Sequence, residues 1–469
     1  MPASQAVPIL ALTIITASWA CSEPATAASQ GSRPDFEVLR YEEDWSNFRS
    51  RASDDPLDAA KNIQLGPSST SSITFGGQVR GLYEFTDKPG WGEAPAERNG
   101  VLYDRYLVHG DLRLGERVRL FGQLISGFSR GEAGPDQGVG EDRLGIQNLF
   151  VDVGWPASNA LLTLRVGRQQ LAFGLNRLVN ERDGTNIPRT FDSARLILTT
   201  ANWRVDVFGA YGSEEETGTF DDGTNQDVAL WGVYSVRERA LPSGGALDVY
   251  YLGFRDREAA FDQGTGHETR HSIGIRAFGN AGSWDYDWEV IGQFGTFADD
   301  DIRAWSVATI TGYTWQNMRW SPRLALESAI ASGDDDPGNA DLQTFNPLFP
   351  SGDYFSELGL LGPANFINVK PKLTLTLSPR LSVSLDVNLY WRHSREDGIY
   401  SPPRMLLRPG ADSDARYVAT TASFVSEWQI SRRLHLLVGY TRSFPGEFVR
   451  DTGEDDPINF VEIEFGFTF

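Results

Sequence analysis

The sequence predicts an all-β protein, a single transmembrane up-and-down antiparallel β-barrel of about 18 strands. Three observations predict it. The chain closes on Val461-Glu462-Ile463-Glu464-Phe465-Gly466-Phe467-Thr468-Phe469, with every second residue apolar. Such alternation gives a strand one greasy face and one polar or small face. Connections between segments of this kind alternate short and long, as when all turns lie at one end of a barrel and all loops at the other. Finally, no Gly/Ser-rich or Pro-rich linker divides the 469 residues into the two or three domains expected of a soluble chain this long.

Composition agrees. The mean hydropathy is −0.32 and no run of 18 apolar residues exists, which excludes a helical membrane protein. A barrel is compatible, because its polar lumen dilutes the apolar signal. Aromatic residues make up 12% and glycine numbers 48, which suits aromatic girdles and tight turns. The net charge of −21 argues against nucleic acid as a partner, which needs a basic footprint.

Taken in order, residues 1–28 read as an export signal. Val7 to Trp19 is a short apolar core and Ala25-Thr26-Ala27 offers small residues for cleavage, although no Lys or Arg precedes the core. Cys21, the sole cysteine, raises a lipoprotein alternative, but Ser18-Trp19-Ala20-Cys21 is a poor lipidation site. Cleavage after Ala27 or Ala28 leaves no cysteine and no disulfide. Residues 29–72 are expected to form an N-terminal periplasmic extension, and residues 73–469 the barrel.

Alternating segments fall near 73–85, 104–114, 118–128, 144–154, 161–168, 192–199, 203–211, 228–237, 246–256, 269–279, 284–296, 302–315, 320–331, 365–377, 381–393, 416–429, 434–444 and 457–469. Most reach the ~9–11 residues that a tilted strand needs to cross a bilayer. Short connections include Gly115-Glu116-Arg117, Thr200-Ala201-Asn202, Ser378-Pro379-Arg380 and Ser431-Arg432-Arg433. The long ones are 86–103, 129–143, 169–191, 212–227, 257–268, 332–364, 394–415 and 445–456. With both termini periplasmic, every long loop is external. Ending on Phe469 fits the closing strand of an outer-membrane barrel, where a terminal Phe is a signal to the barrel assembly machinery.

Parity assigns faces. Arg80, Arg105, Arg113, Arg165, Arg195, Arg204, Arg276, Arg323, Lys370 and Lys372 turn inward, since Arg or Lys facing lipid at the midplane costs ~2–4 kcal/mol. Glu84, Asp111, Asp206, Asp248, Asp287, Glu289, Glu327 and Asp386 also point in. The lumen is therefore hydrated and of mixed sign, and each inward arginine either meets solute or pairs with a neighbouring acid. Carboxylates cluster in the external loops, among them Asp334-Asp335-Asp336. These are solvated loop surface or, in the sharper reading, a calcium site, because hard cations favour grouped carboxylates. No other cofactor is expected. His109, His267, His271, His393 and His435 are scattered, and no nucleophile, phosphate loop or metal-binding helix appears, so the chain does not read as an enzyme.

Four stretches carry a family resemblance. They are Leu39-Arg40-Tyr41-Glu42-Glu43-Asp44-Trp45, then Leu164-Arg165-Val166-Gly167-Arg168-Gln169-Gln170 with Phe191-Asp192-Ser193-Ala194-Arg195, then Phe261-Asp262-Gln263-Gly264-Thr265-Gly266, and Thr344-Phe345-Asn346-Pro347-Leu348-Phe349-Pro350 with Gly362-Pro363-Ala364-Asn365. From about residue 36 onward the chain resembles the alginate export family of outer-membrane porins. The resemblance implies an 18-stranded monomeric barrel in lipid and lipopolysaccharide of a Gram-negative-type outer membrane. It also implies arginines that contact the carboxylates of an anionic polysaccharide in transit. Arg165, Arg168 and Arg195 match in kind, with Arg80 and Arg105 nearby in sheet order, and Arg276 joins the pore-lining set on parity. Arginine suits the task because its planar fork meets a carboxylate bidentately. A general small-solute porin and a plugged, surface-binding barrel are the alternatives.

Overall fold

The computed structural model describes residues 33–48, 55–66, 69–94, 99–131, 139–352 and 355–469. The expected export signal and Cys21 lie outside these residues. Eighteen strands pair in chain order: β1 Ser72–Thr86, β2 Val101–Leu114, β3 Val118–Arg130, β4 Asp142–Pro156, β5 Ala160–Gln169, β6 Phe191–Thr200, β7 Trp203–Glu214, β8 Gly223–Arg237, β9 Ala246–Phe261, β10 Gly264–Ala281, β11 Trp284–Phe297, β12 Asp300–Thr314, β13 Arg323–Ala331, β14 Phe366–Ser378, β15 Leu381–Trp391, β16 Tyr417–Gln429, β17 Leu434–Pro445 and β18 Ile458–Thr468. Strand β18 returns antiparallel to β1, from Gln78 opposite Thr468 to Thr86 opposite Phe460. Beyond the last strand, Phe469 and Gly77 exchange both backbone hydrogen bonds. Closure satisfies every ladder, which hydrocarbon demands because it offers no partner to an orphan amide.

The wall is inside out relative to a soluble protein. Val79, Val108, Leu149, Val166, Val207, Ile275, Val290, Leu326, Leu385 and Ile463 are exposed on the outer face. Trp155, Trp203, Trp284 and Trp428, also exposed, sit at the strand ends nearest the turns and form part of an aromatic girdle there. The opposite parity carries Arg80, Arg105, Arg165, Arg195, Arg276 and Lys370, all buried.

The loop lengths require one correction. Residues 257–268 are not a long loop. Strands β9 and β10 run on to a two-residue hairpin at Asp262-Gln263, where Phe261 pairs with Gly264. Strands β11 and β12 do the same around 298–299. At the other end, residues 238–245 and 315–322 connect strands with longer turns. These hairpins outrun the bilayer, so their outer ends carry charges such as Arg257 and Glu258, which mask the strand pattern.

Two stretches of chain fill the lumen from the loop end. Residues 170–190, 332–352 and 355–365 fold inward, with Val179 bridging Phe349. Leu171, Leu178, Val179 and Phe345 are buried there against wall residues Phe208, Leu230, Tyr234 and Tyr250. From the other end, the chain before β1 also turns in. Tyr41 is buried against Phe121 and Phe150 of the wall. A six-residue helix α1, Glu447–Thr452, caps the loop between β17 and β18.

Candidate functional site

The inward arginines divide by the kind of partner they have. Arg165 and Arg195 face each other in register across β5 and β6, as parity and strand order require. Arg165 is bidentate to Asp152 of β4, at 2.7 and 2.9 Å, with its guanidinium 4.0 Å from the Phe150 ring centre. Arg195 donates to Asp206 of β7 at 2.5 Å. Arg276 donates to Asp287 of β11 at 2.8 Å and Asp248 of β9 at 2.9 Å. Each of these sits beside an acid one strand away, so the sheet register itself builds the pair. A residue that parity could not reach adds to the last group. Arg177, from the inward loop, donates to Asp287 at 3.0 Å and Glu289 at 2.8 Å.

Arg80 and Arg105 are different. They also oppose each other in register, on β1 and β2. Their partners come mainly from the tip of the loop 170–190. Arg80 donates to the carbonyl oxygens of Asp183, Gly184 and Thr185 at 2.7, 3.2 and 2.9 Å. Arg105 donates to the carbonyls of Asp183 and Thr185 and to the Asp183 carboxylate at 2.8 Å. Wall contacts are fewer: Gln78 Oε1 at 3.0 Å from Arg105, and Glu464 at 3.5 Å from Arg80. Two adjacent guanidiniums are thus capped by three carbonyls and one carboxylate of a single loop.

Arg168 does not line the pore. It stands three residues from Arg165, an odd separation that puts it on the other face of β5. It lies at the loop end of the strand and pairs with Asp192 at 2.9 Å and Asp222 at 3.7 Å. Nor do Asp334, Asp335 and Asp336 converge. Asp334 is buried and its carboxylate accepts from the Asp336 amide, while Asp335 and Asp336 are exposed. Among the described residues no group of three or more His, Cys, Asp or Glu side chains could hold a metal ion. The run was adjacent in sequence, but its turn aims the carboxylates apart.

Within the expected N-terminal extension, residues 29–72, the side chains of Arg40, Tyr41, Glu43 and Trp45 are buried. The Tyr41 ring stands edge-on to Phe121 and Phe150, at 6.0 and 5.3 Å, with the Arg165 guanidinium 4.5 Å from its centre. Its hydroxyl donates to the Gln170 carbonyl at 2.7 Å, so it touches the root of the inward loop. Arg40 donates to the carbonyls of Gly77 and Phe469, one on each side of the barrel seam. Glu42 accepts from Arg204 at 3.3 Å. The signal in the sequence was a mixture of aromatics and charges too rich for a solvated linker.

The arrangement supplies no nucleophile or metal centre among the described residues. It supplies cations, acids and inward-folded covers inside a membrane-spanning tube. In fold it is similar to many solved structures, three of which follow. One is OccK2 (OpdF) of Pseudomonas aeruginosa in complex with glucuronate, with 11% identity over 85% of this chain and 96% of that one, at a TM-score of 0.55. Another is OpdK of Pseudomonas aeruginosa with vanillate, at 9% identity, 85% and 98% coverage and a TM-score of 0.58. A BenF-like porin from Pseudomonas fluorescens gives 9% identity, 85% and 99% coverage and 0.56. No curated protein matches the chain. Residues 71–459 match the family described as alginate export, and the chain belongs to that family. It is an outer-membrane β-barrel channel, set in lipid, of a family of channels rather than enzymes.

Proposed function

We propose that this member of the alginate export family is a passive conduit for carboxylate-bearing solutes, an alginate-like polysaccharide or a shorter uronate. The observation that carries the reading is the Arg80–Arg105 pair. Its two guanidiniums are held by a loop tip that already presents a carboxylate, Asp183, to Arg105. A solute carboxylate offers the same acceptors, and it is a stronger acceptor than the neutral carbonyls it replaces. Glucuronate in a neighbouring barrel of the same fold supports a uronate in this size of lumen. Both termini and the turns face the periplasm in this reading, the protein works as a monomer, and the Phe469 strand is read by the assembly machinery. Concentration drives transport, so no cofactor enters.

Current through the channel in a planar bilayer tests it. Glucuronate and uronate oligomers should block wild type. Arg80→Gln with Arg105→Gln should need at least about tenfold more, since each charge-assisted hydrogen bond contributes about 1.5–3 kcal/mol. Equal block of the folded double variant sinks the assignment of these two residues. A general small-solute porin is the second reading. It is favoured by the wall pairs of Arg165 and Arg276, which tie these arginines to acids of neighbouring strands. Under it, a neutral sugar of similar size crosses as readily as glucuronate.

A further inference from the structure

The charges at the turn end of the lumen do not balance within the wall. Arg195 and Arg204 share one carboxylate, Asp206, at 2.5 and 3.0 Å. Nearby, Arg165 is bidentate to Asp152, while Arg119 and Arg113 share Asp111, and Asp44 of the N-terminal stretch meets Arg113 at 2.9 Å. One positive charge is left over at Arg195 and Arg204. It is met by Glu42, which comes from outside the sheet and accepts from Arg204 at 3.3 Å.

We propose that residues 34–48 are a stopper whose Glu42 occupies a carboxylate-binding position at Arg204, from which the carboxylate of a solute arriving at the turn end displaces it. The inference rests on the conduit reading above and adds to it the first point of contact and the means of opening.

Three features support displacement. The segment joins no ladder. Its only regular structure is one 3-10 turn, Arg40–Glu42. It is held instead by side chains: Arg40 at the seam, Tyr41 as the wedge, Asp44 on Arg113, and Arg119 donating to the Tyr41 carbonyl. The Glu42–Arg204 pair is also reachable from water, with 33% and 39% of the two side chains exposed. An exposed pair of that kind contributes only ~0–1 kcal/mol, so exchange for a solute carboxylate is nearly even. The wall pairs behind it are buried and stay. Third, Arg204 keeps Asp206 whichever carboxylate it meets, so exchange strands no buried charge. Glu42 feels the same surroundings. Burial raises its pKa, but Arg204, Arg165 and Arg195 outweigh burial and hold it at about 2. The position therefore selects an anion.

The Tyr41 hydroxyl carries the event further. It donates to the Gln170 carbonyl, at the root of the loop whose tip caps Arg80 and Arg105. Loss of the wedge removes one support of that loop. The two covers are therefore joined at one hydrogen bond.

The test uses the full-length channel in planar bilayers, with glucuronate added to one side at a time and folding checked by heat-modifiable migration. Glu42→Gln should make glucuronate block from the turn side at up to about fivefold lower concentration and leave block from the loop side unchanged. Adding Arg204→Gln should abolish that gain. Tyr41→Ala should raise the open conductance several-fold. If wild type is blocked and Glu42→Gln is blocked identically from both sides, the stopper inference is overturned while the conduit reading stands. If glucuronate blocks none of the channels from either side, both are overturned. Should Tyr41→Ala fail to assemble, Glu42→Gln, at a partly exposed position, carries the decision.

Discussion

Arg276 and Arg105 are both deeply buried arginines on the inner face of one barrel, yet they are held in opposite ways. Arg276 is fixed by Asp248 and Asp287, carboxylates that neighbouring strands place by register. Arg105 is fixed by a loop tip that no strand pairing holds in place. Removing the first set of partners would mean taking the wall apart. The second set hangs on a loop rather than on the sheet, seated by the buried Asn186 and Ile187, with the Asn186 side chain donating to the Gly140 carbonyl at 2.7 Å. Burial and charge alone do not identify a permeation site, because the mobility of the partner decides. The same logic separates Arg165, locked to Asp152, from Arg204, which shares its wall acid and takes a second carboxylate from the N-terminal stretch.

The comparison breaks most visibly on stability. Arg276→Gln leaves Asp248 and Asp287 in a buried site without their shared cation, although Tyr234 and Arg177 still donate to them. Such a loss costs about 3–5 kcal/mol, read as a lower urea midpoint and less heat-modifiable barrel. Arg105→Gln should cost under about 2 kcal/mol, because the freed carbonyls of 183–185 swing into water. If Arg105→Gln destabilises as much as Arg276→Gln, the loop is a wall component and the distinction fails.

A smaller effect sharpens it. Asp183→Asn removes the loop's own carboxylate from Arg105 but keeps the side-chain shape. Weakening one charge-assisted bond by about 1.5 kcal/mol shifts the closed-to-open ratio by about tenfold. Single-channel dwell times should show longer openings with unchanged barrel stability. Unchanged dwell times would mean that the carbonyls alone seat the loop.

The smallest effect concerns pH. Glu42 has its pKa lowered from 4.5 to about 2, so its contribution to docking is full above 4.5 and is lost as pH falls towards 2. Wild-type conductance should rise across that window relative to Glu42→Gln, which lacks the titrating group. The charged groups facing Glu42 are Arg204, Arg165 and Arg195. Parallel curves for the two proteins would remove Glu42 from the docking.

Much of this was legible from period-two patterning. Strand number, closure by the Phe469 strand and the inward aim of Arg80, Arg105, Arg165, Arg195 and Arg276 all follow from alternation, because lipid punishes a one-residue slip along a whole strand. The same rule would have placed Arg168 outside, three residues from Arg165, had parity been applied to it. Where lipid no longer acts, the pattern dissolves. The hairpin tips at 262–263 and 298–299 carry mixed polarity and looked like loop. The partner of each arginine was legible only where it sat on the next strand. Arg177 reaching Asp287 and Glu289, and Asp183 reaching Arg105, depend on where an irregular loop lies in space, and no local rule encodes that. Tyr41 was missed for the same reason, since its cage of Phe121, Phe150 and Arg165 is assembled from three strands far away in sequence.

Arg40 grips the Gly77 carbonyl on the first strand and the Phe469 carbonyl at the chain's last residue. Those two atoms come together only when the sheet becomes a ring. The N-terminal stretch therefore has no complete seat on an unfinished barrel and gains one at the moment the last strand docks. In the stopper reading proposed above, completing the ring also completes the seat of the cork.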